Sequence, residues 1–165
     1  MSVVRVVVLL VLAAAPARAD QIQADLGLSV IAGAYEKQTS TRTAVAIEGG
    51  VFGTYFLPWF DLGDKTVGGI GGLRATLFAQ SDNRGLYITP YVRAGYTKGE
   101  DEDTGMKGGG FAMTAGFFVG YVFRPASSLD LRIGGGAQYI YIDGDNGVEA
   151  STPFVALDFT VGYRL

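Results

Sequence analysis

Residues 154 to 165 read Phe154-Val155-Ala156-Leu157-Asp158-Phe159-Thr160-Val161-Gly162-Tyr163-Arg164-Leu165, and their period is two. Val155, Leu157, Phe159, Val161, Tyr163 and Leu165 share one face. Ala156, Asp158, Thr160, Gly162 and Arg164 share the other. Successive side chains of a β-strand point to opposite faces, so this stretch is a strand with one greasy side and one small or polar side.

The same pattern recurs upstream. Leu129, Leu131, Ile133, Ala137, Tyr139 and Tyr141 alternate with Asp130, Arg132, Gly134, Gly136 and Gln138. Leu86, Ile88, Pro90, Val92 and Ala94 alternate with Tyr87, Thr89, Tyr91, Arg93 and Gly95, and Leu73, Ala75, Leu77 and Ala79 with Arg74, Thr76 and Gln80. Strands are expected at about 24 to 36, 43 to 57, 66 to 80, 86 to 97, 110 to 123, 128 to 142 and 152 to 165. Between them lie KQTSTR, LPWFDLGDK, SDNRG, KGEDEDTGMKGG, RPASS and GDNGVEAS, which are turn compositions. No stretch has a helical period.

Two folds satisfy this pattern: a soluble sandwich or barrel with the apolar face inside, and a membrane barrel with the apolar face outside. The polar face decides between them. A wet surface carries many Lys and Glu, whereas this face carries Gly, Ala, Thr and Ser with few charges. Asp25, Glu48, Asp130 and Asp158 stand against Arg74, Arg93, Arg132 and Arg164, a mixture suited to a narrow lumen where opposite charges pair. Glu48, Arg74, Arg93, Asp130, Arg132 and Asp158 are the expected lumen charge network. Tyr35, Tyr55, Phe56, Trp59, Phe60, Tyr96, Phe111, Phe123, Tyr139, Tyr141, Phe154 and Tyr163 fall near strand ends, as in a membrane-interface belt. The expected fold is all-β: a single antiparallel up-and-down transmembrane β-barrel.

Composition agrees. Gly numbers 25 and charged residues only 18%, below the usual share of about 25% for soluble domains. The first nineteen residues read as a signal peptide: Arg5 is the basic start, Val6 to Ala15 an apolar run, and Ala17-Arg18-Ala19 a small-x-small motif, with cleavage between Ala19 and Asp20. The expected domains are therefore 1–19, signal peptide, and 20–165, barrel. Ten apolar residues fall short of the roughly 20 needed for a spanning helix. Removing Arg5 and Arg18 leaves 11 basic and 16 acidic residues, a net charge of −5, which gives no electrostatic case for nucleic acid.

The whole mature stretch resembles the small eight-stranded outer-membrane barrels of the OmpA and OmpX type. Residues 158–165 resemble the C-terminal signal read by the barrel assembly machinery, with an aromatic third from the end, but end in Leu165 rather than Phe. Gly85-Leu86-Tyr87-Ile88-Thr89-Pro90-Tyr91-Val92 resembles a recurrent strand in bacterial barrel families of unknown function. The resemblance implies export to the cell outer membrane of a Gram-negative bacterium. Outer-membrane lipid, lipopolysaccharide and the assembly machinery are the implied partners. A closed barrel hides its edges, so a monomer is expected. Such a barrel needs an even strand number, and only seven strands are located; the eighth must lie in 20 to 36 or within 43 to 80.

Outer-membrane barrels that are enzymes resemble one another in relying on an active-site His. This chain has no His and no Cys, which removes Ser-His-Asp chemistry, thiolate nucleophiles and His-containing metal sites. Glu100-Asp101-Glu102-Asp103 reads as a solvated acidic run. Asp143-Gly144-Asp145-Asn146-Gly147 departs from calcium-loop spacing and reads as a hairpin loop. No catalytic, metal or cofactor site is expected. The function expected is a non-catalytic barrel with a structural or surface-interaction role and a filled lumen. The alternatives are a narrow channel for small or hydrophobic solutes and a soluble secreted β-barrel binding an apolar ligand.

Overall fold

A computed structural model of the chain describes residues 20–55 and 57–165. The expected signal peptide and Phe56 lie outside the described residues. Eight strands form one closed antiparallel barrel: β1 (Gln21–Leu26), β2 (Val30–Gln38), β3 (Thr43–Gly53), β4 (Lys65–Gln80), β5 (Arg84–Glu100), β6 (Lys107–Ala126), β7 (Leu129–Gly144) and β8 (Glu149–Arg164). Each strand pairs with the next, and β1 closes the ring on β8, with Gln21 opposite Arg164 and Asp25 opposite Thr160.

The strand expected at 24 to 36 is two strands. Gly27-Leu28-Ser29 reverses the chain, and the Gly27 amide donates to the Val30 carbonyl at 2.8 Å. So short a reversal leaves no cluster of turn residues for a reader to notice. It also flips the phase, because odd residues point inward in β1 and even residues in β2. The strand expected at 43 to 57 stops at Gly53, and β5, β6 and β7 run past their expected ends as the backbone ladder continues beyond the apolar band.

Four connections gather at one end of the barrel, here called the loop end: 27–29, 54–64, 101–106 and 145–148. Asp20, Leu165 and the connections 39–42, 81–83 and 127–128 share the turn end. SDNRG and RPASS thus sit opposite KGEDEDTGMKGG and GDNGVEAS.

Outward positions carry the apolar residues. Ile47, Leu73, Leu86, Ile133, Val155 and Leu157 are each at least half exposed. Around a ring of eight strands these make a continuous greasy belt, a surface that water disfavours and hydrocarbon accepts. Tyr35, Tyr55, Trp59, Phe60, Tyr96, Phe111, Phe123, Tyr139, Tyr141 and Tyr163 are exposed. Phe154 departs from the expected belt: it is inward-facing and half-buried, and its ring meets Phe60 edge-on at 5.6 Å. Gln80, expected on the inner face, is exposed at the turn end beside a register shift between Phe78 and Gln80.

Candidate functional site: a filled lumen

Inward positions come from every strand, and they fill the barrel with three layers of distinct chemistry. The loop-end layer is apolar. Val30, Ala32, Phe52, Leu57, Ala112, Ile140, Ile142 and Ala150 are buried together, with Leu28, Leu62, Ile70 and Phe154 against them. Leu57 comes from the 54–64 connection, which turns through the short 3-10 segment Pro58–Phe60. That connection is anchored by Thr54, whose hydroxyl donates to the Asp64 carbonyl at 2.7 Å. The LPWFDLGDK stretch, expected as an ordinary connection, is therefore a lid that plants a leucine in the barrel mouth. The apolar Leu57 and Leu62 within it were the available signal.

The middle layer is a charge lattice. Asp25 Oδ2 accepts from Arg74 Nη1 at 3.0 Å and from Arg93 Nη2 at 2.8 Å. Glu48 accepts from Arg93 Nε at 2.7 Å and Nη2 at 3.2 Å, and lies 3.4 Å from Arg74 Nε. Arg74 Nη2 also donates to Gln23 at 2.8 Å. These four charged residues come from β1, β3, β4 and β5, so the lattice ties half of the barrel wall together. The Arg93 guanidinium lies 4.4 Å from the ring centre of Tyr91, which stacks on Phe118 at 4.6 Å. The space bounded by Tyr91, Arg93, Phe118 and Gln138 is too small for a water molecule.

Toward the turn end lie two further groups. Arg132 forks onto Glu36 with bonds of 2.7 and 2.5 Å, and Asp158 accepts from the hydroxyls of Tyr87 and Thr160. At the turn-end mouth Asp130 accepts from Arg124 Nε at 2.5 Å, Arg164 Nε at 3.1 Å and Gln21 Nε2 at 2.5 Å. Five acids, Asp25, Glu36, Glu48, Asp130 and Asp158, thus share the lumen with five arginines, Arg74, Arg93, Arg124, Arg132 and Arg164, although Asp130 takes two of the arginines and Asp158 is met by hydroxyls. The equality matters because each buried charge left without a partner costs several kcal/mol.

The residues singled out from sequence do not form one network. Glu48, Arg74 and Arg93 meet, and Asp25 joins them. Arg132, Asp130 and Asp158 belong to separate groups, in which Glu36, Arg124, Gln21 and Tyr87 were missed. Glu36 was hidden by the phase flip: in one uninterrupted strand it takes the opposite face from Asp25. Arg124 sat inside a presumed turn, whereas β6 runs on to Ala126 and keeps Arg124 in phase with inward Phe118 and Val122.

Among solved structures, the chain superposes on the N-terminal β-barrel domain of Pseudomonas aeruginosa OprF with a TM-score of 0.58 at 13% identity, covering 89% of this chain and 97% of that one. The fold is that of the small outer-membrane barrels. Neisserial surface protein A also matches, with a TM-score of 0.46 at 13% identity, over 89% of this chain and 94% of that one. No family model and no curated protein sequence matches the chain. The layers described above lie inside the closed barrel, and side chains from every strand fill it.

Proposed function

We propose that this protein is an outer-membrane barrel of the non-catalytic, non-conducting kind, exported by residues 1–19 and acting as a structural or surface-interacting element. The observation that carries the reading is the double closure of the lumen. An apolar seal around Leu57 and Phe52 stands over a charge lattice of Asp25, Glu48, Arg74 and Arg93. An ion crossing such a barrel must pass an apolar constriction and then break paired charges. The apolar belt supports a membrane location, and the alternating stretch 158–165 supports delivery by the barrel assembly machinery.

Two measurements test this reading. Membrane fractionation with heat-modifiable gel mobility is expected to place a closed barrel in the outer membrane. Planar-bilayer recording of the refolded protein is expected to show no stable single-channel steps. Steps that shrink when Arg93 is neutralised would establish the channel alternative, and recovery in the periplasm without detergent would establish the soluble one.

A further inference from the structure

The chain contains four lysines, and three of them, Lys65, Lys98 and Lys107, meet on adjacent strands β4, β5 and β6. Register makes the patch compact. Lys65 stands opposite Glu100, which stands opposite Lys107, and Lys98 lies one outward step below, opposite Val67 and Gly109. All three lysines point out of the barrel and are exposed. Among the described residues none of the three ammonium groups reaches a carboxylate within ion-pair distance. Together with Tyr55, Thr66 and Glu100 they line an open cleft of about 410 Å³.

The height of the patch defines what it meets. On β5 the outward residues from Leu86 to Tyr96 are apolar or small, an eleven-residue span, and Lys98 follows immediately. A tilted strand crosses the hydrocarbon core in about 9–11 residues. Val67 on β4 and Phe111 on β6 close the same band, and Lys65 and Lys107 stand just beyond it. The lysines therefore lie at headgroup level and face sideways into the leaflet, where their stems can lie on apolar surface while the ammonium groups meet polar headgroups. Lys98 is already laid over such a surface: its Cγ and the Tyr96 hydroxyl pass across Gly109, where an added Cβ would fall 3.1 and 2.9 Å from them.

We propose that Lys65, Lys98 and Lys107 form a binding site for the phosphorylated headgroup of a lipid in the loop-end leaflet; this rests on the outer-membrane reading above. Ammonium groups bind phosphate as point charges, and three of them against the single Glu100 leave a local excess of positive charge. The rest of the loop end is acidic, with Asp64, Asp101, Glu102, Asp103 and Glu149, so a soluble polyanion approaching from above is repelled. An anion arriving within the membrane plane meets three lysines against the single Glu100.

The test uses the full chain expressed in a Gram-negative host and extracted from membranes in mild non-ionic detergent, with native mass spectrometry reading bound lipopolysaccharide. Wild type is compared with Lys65→Gln/Lys98→Gln/Lys107→Gln and with Arg42→Gln/Arg84→Gln at the turn end. Lipid affinity is expected to fall about fivefold per lysine removed, with the turn-end variant unchanged. Heat-modifiable mobility checks closure of each barrel; if the triple variant does not close, Lys98→Gln alone supplies the comparison. Equal lipid retention by closed wild type and lysine variant overturns the site, as does displacement of the lipid by inorganic phosphate, which would make the patch a free-anion site. Recovery of the chain in the soluble periplasmic fraction overturns the membrane reading and the site with it.

Discussion

Arg132 and Glu36 form a two-bond fork across the lumen, joining β7 to β2 although neither strand pairs with the other. Backbone hydrogen bonds fix only neighbouring strands, so a bond of this kind holds the barrel's cross-section against flattening. Its two partners are 96 positions apart in sequence and almost fully buried.

Breaking one side of this fork strands a charge. Glu36→Leu is expected to destabilise the barrel by about 3–5 kcal/mol, because Arg132 loses its partner. The double variant Glu36→Leu/Arg132→Met is expected to recover most of that loss, since neither position then buries a charge. Urea titration read by gel mobility distinguishes the outcomes. A double variant as unstable as the single one would mean that packing, and not charge pairing, is what the site supplies.

Much of this fold was legible because lipid and lumen impose opposite demands on alternate residues. In β4 from Leu73, and in β5, β7 and β8, the inner and outer faces could be read almost residue by residue, whereas for β6 only the span could be. The β1–β2 reversal was not legible, since Gly27-Leu28-Ser29 is short and its flanks look continuous. That single omission also hid Glu36, because facing depends on phase and phase depends on the strand boundary. The lumen was harder to read than the wall. Which carboxylate meets which guanidinium depends on strand stagger and side-chain length across the barrel, and periodicity contains neither. Likewise, Leu57 sits in a connection, where no alternation marks a residue as inward.

Gly134 is opposite Asp158 on β8 and beside Gly120 on β6, and both glycines make room for Tyr87. A Cβ added at Gly134 would fall 2.6 Å from the Tyr87 hydroxyl and 3.0 Å from the Val119 carbonyl. Gly134→Ala is therefore expected to displace the hydroxyl from Asp158 and cost about 1–3 kcal/mol through overpacking. Gly69→Ala, outward-facing with nothing within 4 Å of its Cβ position, serves as the control and should change the unfolding midpoint little. Equal effects at the two positions would refute the account of Tyr87 as the reason for the inward glycine.

Removing the seal tests whether the lumen has one barrier or two. Leu57 is fully buried, and Leu57→Ala is expected to destabilise the barrel by about 2–5 kcal/mol through the lost apolar contact and the cavity left behind. Conductance should nevertheless stay absent, because Arg93, Tyr91 and Glu48 still fill the barrel below. Single-channel steps appearing in Leu57→Ala alone would show that the charge lattice is not a barrier by itself.

The 101–106 loop allows a pH test outside the membrane. Asp101 lies among Glu100, Glu102 and Asp103, and like-charged neighbours by themselves would raise its pKa. Its carboxyl is instead held below the ordinary 3.8, first by the Thr104 hydroxyl and then by backbone amides; the Thr104 amide donates to Oδ1 at 2.6 Å. Local hydrogen bonds outweigh repulsion here because the carboxylate is exposed and the charge field is screened. A depressed pKa means that this turn is fully stabilised above the ordinary value of about 4 and loses that support as pH falls through the depressed one. Carbon-detected NMR of the Asp101 carboxyl is expected to show a midpoint under 3.8, with the Thr104 amide shift following the same curve. Thr104→Val removes the leading donor and should move the midpoint upward, toward or past 3.8, now that repulsion from the neighbouring acids is less opposed. A midpoint in the unaltered chain at or above 3.8 would show that repulsion dominates and that the turn is not held by this carboxylate.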